Sequence, residues 1–199
     1  MSNLVKSNLT TSLKKVVRNK LHATLINNVK KNKKAVALLD RSGSMDWSEK
    51  MDQAKNALEP ILQRHHLRLI AFDTAAEEIS SERLREVRAS GGTKFIPAFN
   101  LALSSPTSLI ILITDGQPDE GLARLLDYKS GRLEGVELEA IGIGSDCDWH
   151  LLEQLCGSGK VHKIGELEVE KLLGALVERL LLTSDAGANA EVGKGVIEI

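Results

Sequence analysis

Two unbroken apolar runs, Ala35-Val-Ala-Leu-Leu39 and Leu109-Ile-Ile-Leu-Ile-Thr114, each stop on an aspartate, Asp40 and Asp115. Short runs rich in Val, Ile and Leu, with no polar alternation, are the pattern of strands buried on both faces of a parallel sheet. Comparable runs at 67–72, 138–143 and 161–164 predict three more strands, and a short one is expected near 78–80. Between them, apolar positions recur every three or four residues, which predicts helices over 50–62, 95–103, 119–126, 148–155 and 169–182. This alternation predicts an α/β fold with a doubly wound, mostly parallel sheet and helices on both faces. In such open sheets ligands bind beyond the carboxyl ends of the strands, where the strand order reverses. Both aspartates stand at carboxyl ends.

The N-terminal segment reads differently. Leu9, Leu13, Val16, Val17, Leu21, Leu25 and Val29 recur at helical spacing with lysines between them, so residues 1–33 are expected to form a basic amphipathic arm. Residues 1–34 hold nine Lys and Arg and no Asp or Glu, which leaves 17 basic and 27 acidic side chains for the rest. The net charge of −1 therefore conceals a basic arm on an acidic body. Such a helix can dock on its own acidic domain, or touch nucleic acid or an anionic membrane. Residues 184–199 are small, polar and glycine-containing, and are expected to form a flexible tail.

Candidate chemistry concentrates after the two runs. Asp40-Arg41-Ser42-Gly43-Ser44 follows the first, Thr114-Asp115-Gly116 closes the second, and Gly91-Gly92-Thr93 lies between them ahead of a helical stretch. Two carboxylates and three hydroxyls make an all-oxygen donor set, the kind that hard cations such as Mg²⁺ or Mn²⁺ accept.

With these three motifs in this order, residues 34–183 resemble the von Willebrand factor A (VWA) domain family, in particular intracellular single-domain members with a complete metal-ion-dependent adhesion site. The resemblance implies that Ser42 and Ser44 ligate the cation directly, Thr93 directly or through water, and Asp40 and Asp115 partly through water. It also implies a non-enzymatic interaction module in which an acidic residue of a partner protein completes the shell of Mg²⁺ or Mn²⁺. Such members often work with AAA+ ATPases or other operon-encoded proteins. Arg41 is read either as a guide for an acidic partner or as a surface charge, and Trp47 either as an interface anchor or as a tryptophan packed under its loop.

Other signals point away from rival functions. Cys147 and Cys156 lack metal-site spacing, no apolar stretch is long enough to span a bilayer, and the N-terminus lacks a secretory core, so a soluble cytoplasmic protein is expected. Gly157-Ser-Gly-Lys160 fails as a phosphate loop because Gln154 and Val161 occupy the positions that need Gly and Ser/Thr. His65-His66 has no acidic companion at metal spacing, and Asp148 reads as a helix N-cap rather than a ligand. A Mg²⁺-dependent phosphatase or hydrolase with Asp40 as nucleophile is the enzymatic alternative. Ser42 stands where such enzymes want a second aspartate, so no catalytic residue and no small-molecule substrate are assigned.

Overall fold

The computed structural model describes residues 35–64 and 67–163. The expected arm at 1–33, the helix at 169–182, the tail at 184–199 and His65-His66 lie outside the described residues. In chain order the elements are β1 (Ala35–Asp40), a 3₁₀ segment (Gly43–Glu49), α1 (Lys50–Arg64), β2 (Arg68–Phe72), β3 (Ala76–Ile79), a second 3₁₀ segment (Ser81–Glu86), α2 (Phe95–Ala102), β4 (Leu109–Thr114), α3 (Leu122–Arg132), β5 (Glu137–Gly142), α4 (Trp149–Cys156) and β6 (Val161–Lys163).

The six strands form one sheet in the order β3-β2-β1-β4-β5-β6. All pairings are parallel except that of β3, which turns back antiparallel on β2. The chain therefore winds outward from β1 in one direction and from β4 in the other, and the order reverses between these two strands. Their register pairs Leu39 with Ile113. Asp40 thus ends β1 beside Thr114, and Asp115 leaves β4 one residue further on.

The unbroken apolar runs follow from the two faces they serve. Ala37, Leu39, Ile111 and Ile113 pack on one side against Met51, Ala54 and Leu58 of α1, together with Leu84 and Val87. Val36, Leu38, Ile110 and Leu112 pack on the other against Phe95 and Phe99 of α2, Leu125 of α3, and Leu152 and Leu155 of α4. An edge-to-face chain of rings runs through this second layer, with Phe72 and Phe95 5.8 Å apart and Phe95 and Phe99 6.2 Å apart. Among the described residues no helix is long and apolar enough to cross a membrane.

Two differences from the sequence pattern bear on function. The helix expected from 119 begins instead at Leu122 and runs to Arg132, because Asp119 and Glu120 turn their carboxylates toward a neighbouring loop instead of entering the helix. The stretch after Ser44 forms a 3₁₀ segment that breaks where Ser48 and Glu49 take positive φ of 55° and 58°. Hydrophobic periodicity carries no signal for either.

Leu38 is fully buried in the second strand layer. Leu38→Ala is expected to lower unfolding free energy by about 3 kcal/mol in urea titrations, from lost transfer energy and the cavity left behind.

Candidate metal centre

The centre is built on the two carboxylates at the order reversal. Asp40 is fully buried, and both its oxygens are engaged. Oδ1 accepts from the Ser42 amide at 2.8 Å, and Oδ2 accepts from the Thr114 hydroxyl. Burial pushes the Asp40 carboxyl up to about 6, against the hydrogen bonds from Thr114 and Ser42, and the charge of Asp115 adds to the rise.

Asp115 is equally buried. Its Oδ2 accepts from the Lys50 ammonium at 3.2 Å, whereas its Oδ1 is buried and has no hydrogen-bond partner among the described residues. A buried carboxylate oxygen left bare costs on the order of 1–3 kcal/mol or more. The nearby hydroxyls supply the rest of a donor set. Ser42 Oγ and Ser44 Oγ lie 3.1 Å apart, and Thr93 is buried.

Backbone contacts draw the three motif loops together. The Gly43 amide donates to the Gly91 carbonyl at 3.0 Å, and the Ser90 amide to the Arg41 carbonyl at 2.7 Å, joining the serine loop to the threonine loop. The Asp119 amide donates to the Thr93 carbonyl at 2.7 Å, and the Asp119 carboxylate accepts from the Thr93 amide at 3.2 Å. Gly92 permits that approach, since a Cβ there would lie 2.6 Å from Asp119 Oδ2. Glu120 then reaches back with both oxygens to the Phe95 and Ile96 amides, each at 3.1 Å. It caps α2 from a different loop and ties the helix behind Thr93 to the segment after Asp115.

The structure therefore gathers Asp40, Ser42, Ser44, Thr93 and Asp115 at one edge of the sheet. Among the described residues no group of three or more His, Cys, Asp and Glu could hold a metal. The donor set is instead two carboxylates and three hydroxyls, and with its bare Oδ1 it fits a hard divalent cation.

The remaining candidates separate clearly. Trp47 is 74% exposed, carried outward just before the reversed backbone of Ser48 and Glu49. The alternative of a tryptophan packed under the loop is excluded. Arg41 is half-buried and held by Asp73 at 3.0 Å and by Glu77, so its charge is largely spent within the chain. Asp148 caps α4 by accepting from the Leu151 amide at 3.0 Å. Thr114 stood in the motif without an assigned role, and Lys50, Asp119 and Glu120 were not legible as site residues. Each acts through a contact far away in sequence, and no spacing rule marks them.

A family model for the von Willebrand factor type A domain matches residues 33–160. The chain belongs to the von Willebrand factor type A domain family. Curated relatives include human inter-alpha-trypsin inhibitor heavy chain H2, 28% identical over 169 residues that cover 67% of this chain and 18% of that protein. Human inter-alpha-trypsin inhibitor heavy chain H4 is 30% identical over 158 residues, covering 62% and 17%. This VWA chain thus spans less than a fifth of the curated relatives it matches. Among solved structures, manganese-loaded TRAP protein of Plasmodium vivax superposes with a TM-score of 0.62 at 17% identity, over 75% of this chain and 74% of that one. Proximal thread matrix protein 1 from the mussel byssus, with a zinc-occupied MIDAS motif, gives 0.55 at 18% identity over 73% and 47%. These structures share the VWA fold.

Two outcomes follow from this geometry. Because the folded Asp40 carboxyl titrates at about 6 against an ordinary value of 3.8, the metal-free fold favours its protonated form. Asp40 therefore withdraws stability as pH rises through that window, and a cation that needs the carboxylate competes with the proton. A stabilisation by divalent cation is expected to be clearly larger near about pH 7.5 than near about pH 5, where affinity falls about tenfold, measured by thermal melts with and without EDTA. Glu120→Ala removes the acceptor for two helix-terminal amides and is expected to cost about 1–2 kcal/mol in chemical denaturation.

Proposed function

We propose that this VWA domain is a divalent-metal-dependent protein-interaction module. Asp40, Ser42, Ser44, Thr93 and Asp115 would hold Mg²⁺ or Mn²⁺, and an acidic residue of a partner protein would complete the shell. The observation that carries the reading is the bare, buried Oδ1 of Asp115 at the sheet edge, where the paired hydroxyls of Ser42 and Ser44 follow the neighbouring strand β1. When bound, a divalent cation supplies an electron-poor point that a carboxylate can ligate. The related folds captured with manganese and with zinc support a divalent ion at such a site.

Binding is favoured over catalysis by the state of the side chains. Asp40 is buried and its two oxygens accept from the Ser42 amide and the Thr114 hydroxyl, which fixes the carboxylate in place and still leaves lone pairs for a cation. Cys147 is buried, and burial together with the charge of Asp115 pushes its thiol up to about 12, so it offers no thiolate at neutral pH. Lys50 cannot serve as a base, because Asp146 and Asp115 outweigh the effect of its burial and hold its ammonium above the ordinary lysine range. The two free, buried thiols, Cys147 and Cys156, support a reducing, cytoplasmic setting.

Trp47 is the anchor we assign to the partner surface. It is a large apolar side chain three residues after Ser44, and it is presented to solvent. A rigid aromatic at an interface centre commonly contributes more than 2 kcal/mol.

The test is capture of lysate proteins on the immobilised full chain. One partner is expected to be retained in Mg²⁺, released by EDTA, absent with Asp40→Ala and weakened at least about tenfold by Trp47→Ala. Retention that ignores both EDTA and Asp40→Ala would overturn the proposal. Acidic residues of the recovered partner, replaced one at a time, identify the one that reaches the metal.

A further inference from the structure

Lys50 is the first residue of α1, and its side chain is 3% exposed. A buried ammonium is costly unless it is paired. Here it stands 3.2 Å from Asp115 Oδ2 and 2.7 Å from Asp146 Oδ1, bridging a fully buried carboxylate and one that is 56% exposed. The loop after β5 is shaped around this lysine. A Cβ at Gly144 would meet Lys50 Cε at 2.5 Å and Asp146 Oδ1 at 2.7 Å, so a glycine at φ +91° leaves the channel in which the side chain lies. The ammonium takes one oxygen of Asp115 and leaves the other bare. It neutralises the acidic edge in part without occupying the whole donor set.

We infer that Lys50 is a resident counter-ion of the metal centre, which holds Asp115 in position without a divalent cation and sets the affinity of the site by competing for that carboxylate's charge. The inference rests on the metal reading above. Lys50 is a positioning residue and not a ligand, since an ammonium has no lone pair to give. Two cations sharing one carboxylate repel each other, and at a partly wet rim one elementary charge at this range is worth about tenfold or more in affinity. Asp146 has the opposite effect, because it draws the ammonium toward solvent and away from Asp115.

The test compares wild type, Lys50→Met, Asp146→Asn and the double variant, by calorimetric titration with Mg²⁺ and Mn²⁺ and by thermal melts in EDTA and in saturating metal. Lys50→Met keeps the aliphatic stem and is expected to bind metal about tenfold tighter. Its Tm should fall clearly in EDTA and recover in saturating metal. Asp146→Asn changes an exposed position, so it keeps the fold, and it is expected to bind metal more weakly. In the Lys50→Met background most of that effect should vanish, the coupling a shared ammonium requires. A purely structural lysine would lower Tm equally in both conditions and leave affinity unchanged. That result, or additive effects in the cycle, overturns the inference while wild-type binding preserves the metal reading. Metal binding by Lys50→Met where wild type shows none would support it, and binding by none of the four would overturn both.

Discussion

Two carboxylates buried side by side at neighbouring strand ends are the constraint around which this edge of the molecule is built. Parallel pairing of β1 with β4 puts Asp40 beside Thr114 and Asp115 just beyond. Taking one charge out of water is costly, and taking two of the same sign to adjacent places is worse unless other groups compensate. The compensation is visible at each oxygen. The Ser42 amide and the Thr114 hydroxyl hold Asp40, and the Lys50 ammonium holds one side of Asp115. One oxygen of Asp115 has no partner among the described residues, and the paired serine hydroxyls follow the neighbouring strand. A region with an excess of buried negative charge and neutral donors around it favours a small, hard cation.

The loops that bear these groups are held by one another more than by the sheet. Asp119 pins Thr93 from both its amide and its carboxylate, Glu120 caps α2 across the gap, and Gly91 receives the serine loop. The three donor segments are thus cross-linked by hydrogen bonds to one another and to the start of α2. The rim is less constrained. The positive-φ turn at Ser48 and Glu49 projects Trp47 into solvent, and strain of this kind persists only where the surrounding structure over-determines it.

The same accounting separates binding from chemistry. Under the proposed reading the side chains favour binding: two hydrogen bonds fix Asp40, burial holds the nearby thiol in its protonated form, and the lysine lies between two carboxylates. What is left unsatisfied is coordination. In the proposed reading such a site takes up a cation and presents it, and the exposed ring of Trp47 offers apolar surface to the partner.

How much of this was legible before folding differs by level. The apolar runs at 35–39 and 109–114 announced doubly buried strands because such strands need no polar face, and the aspartates after them marked the carboxyl edge. The five candidates Asp40, Ser42, Ser44, Thr93 and Asp115 were proposed from motif order, since turn-forming residues beside a strand end are local features of the chain. The tertiary structure alone decided that β1 and β4 are neighbours, that Arg41 spends its charge on Asp73 and Glu77, and that Trp47 faces solvent. It also placed Lys50 on a carboxylate 65 positions away and brought Glu120 back to cap a helix 25 positions earlier. Periodicity and spacing report which face of an element is apolar. They say nothing about which distant charge a buried charge will find, because that pairing exists only once the sheet has brought the strand ends together.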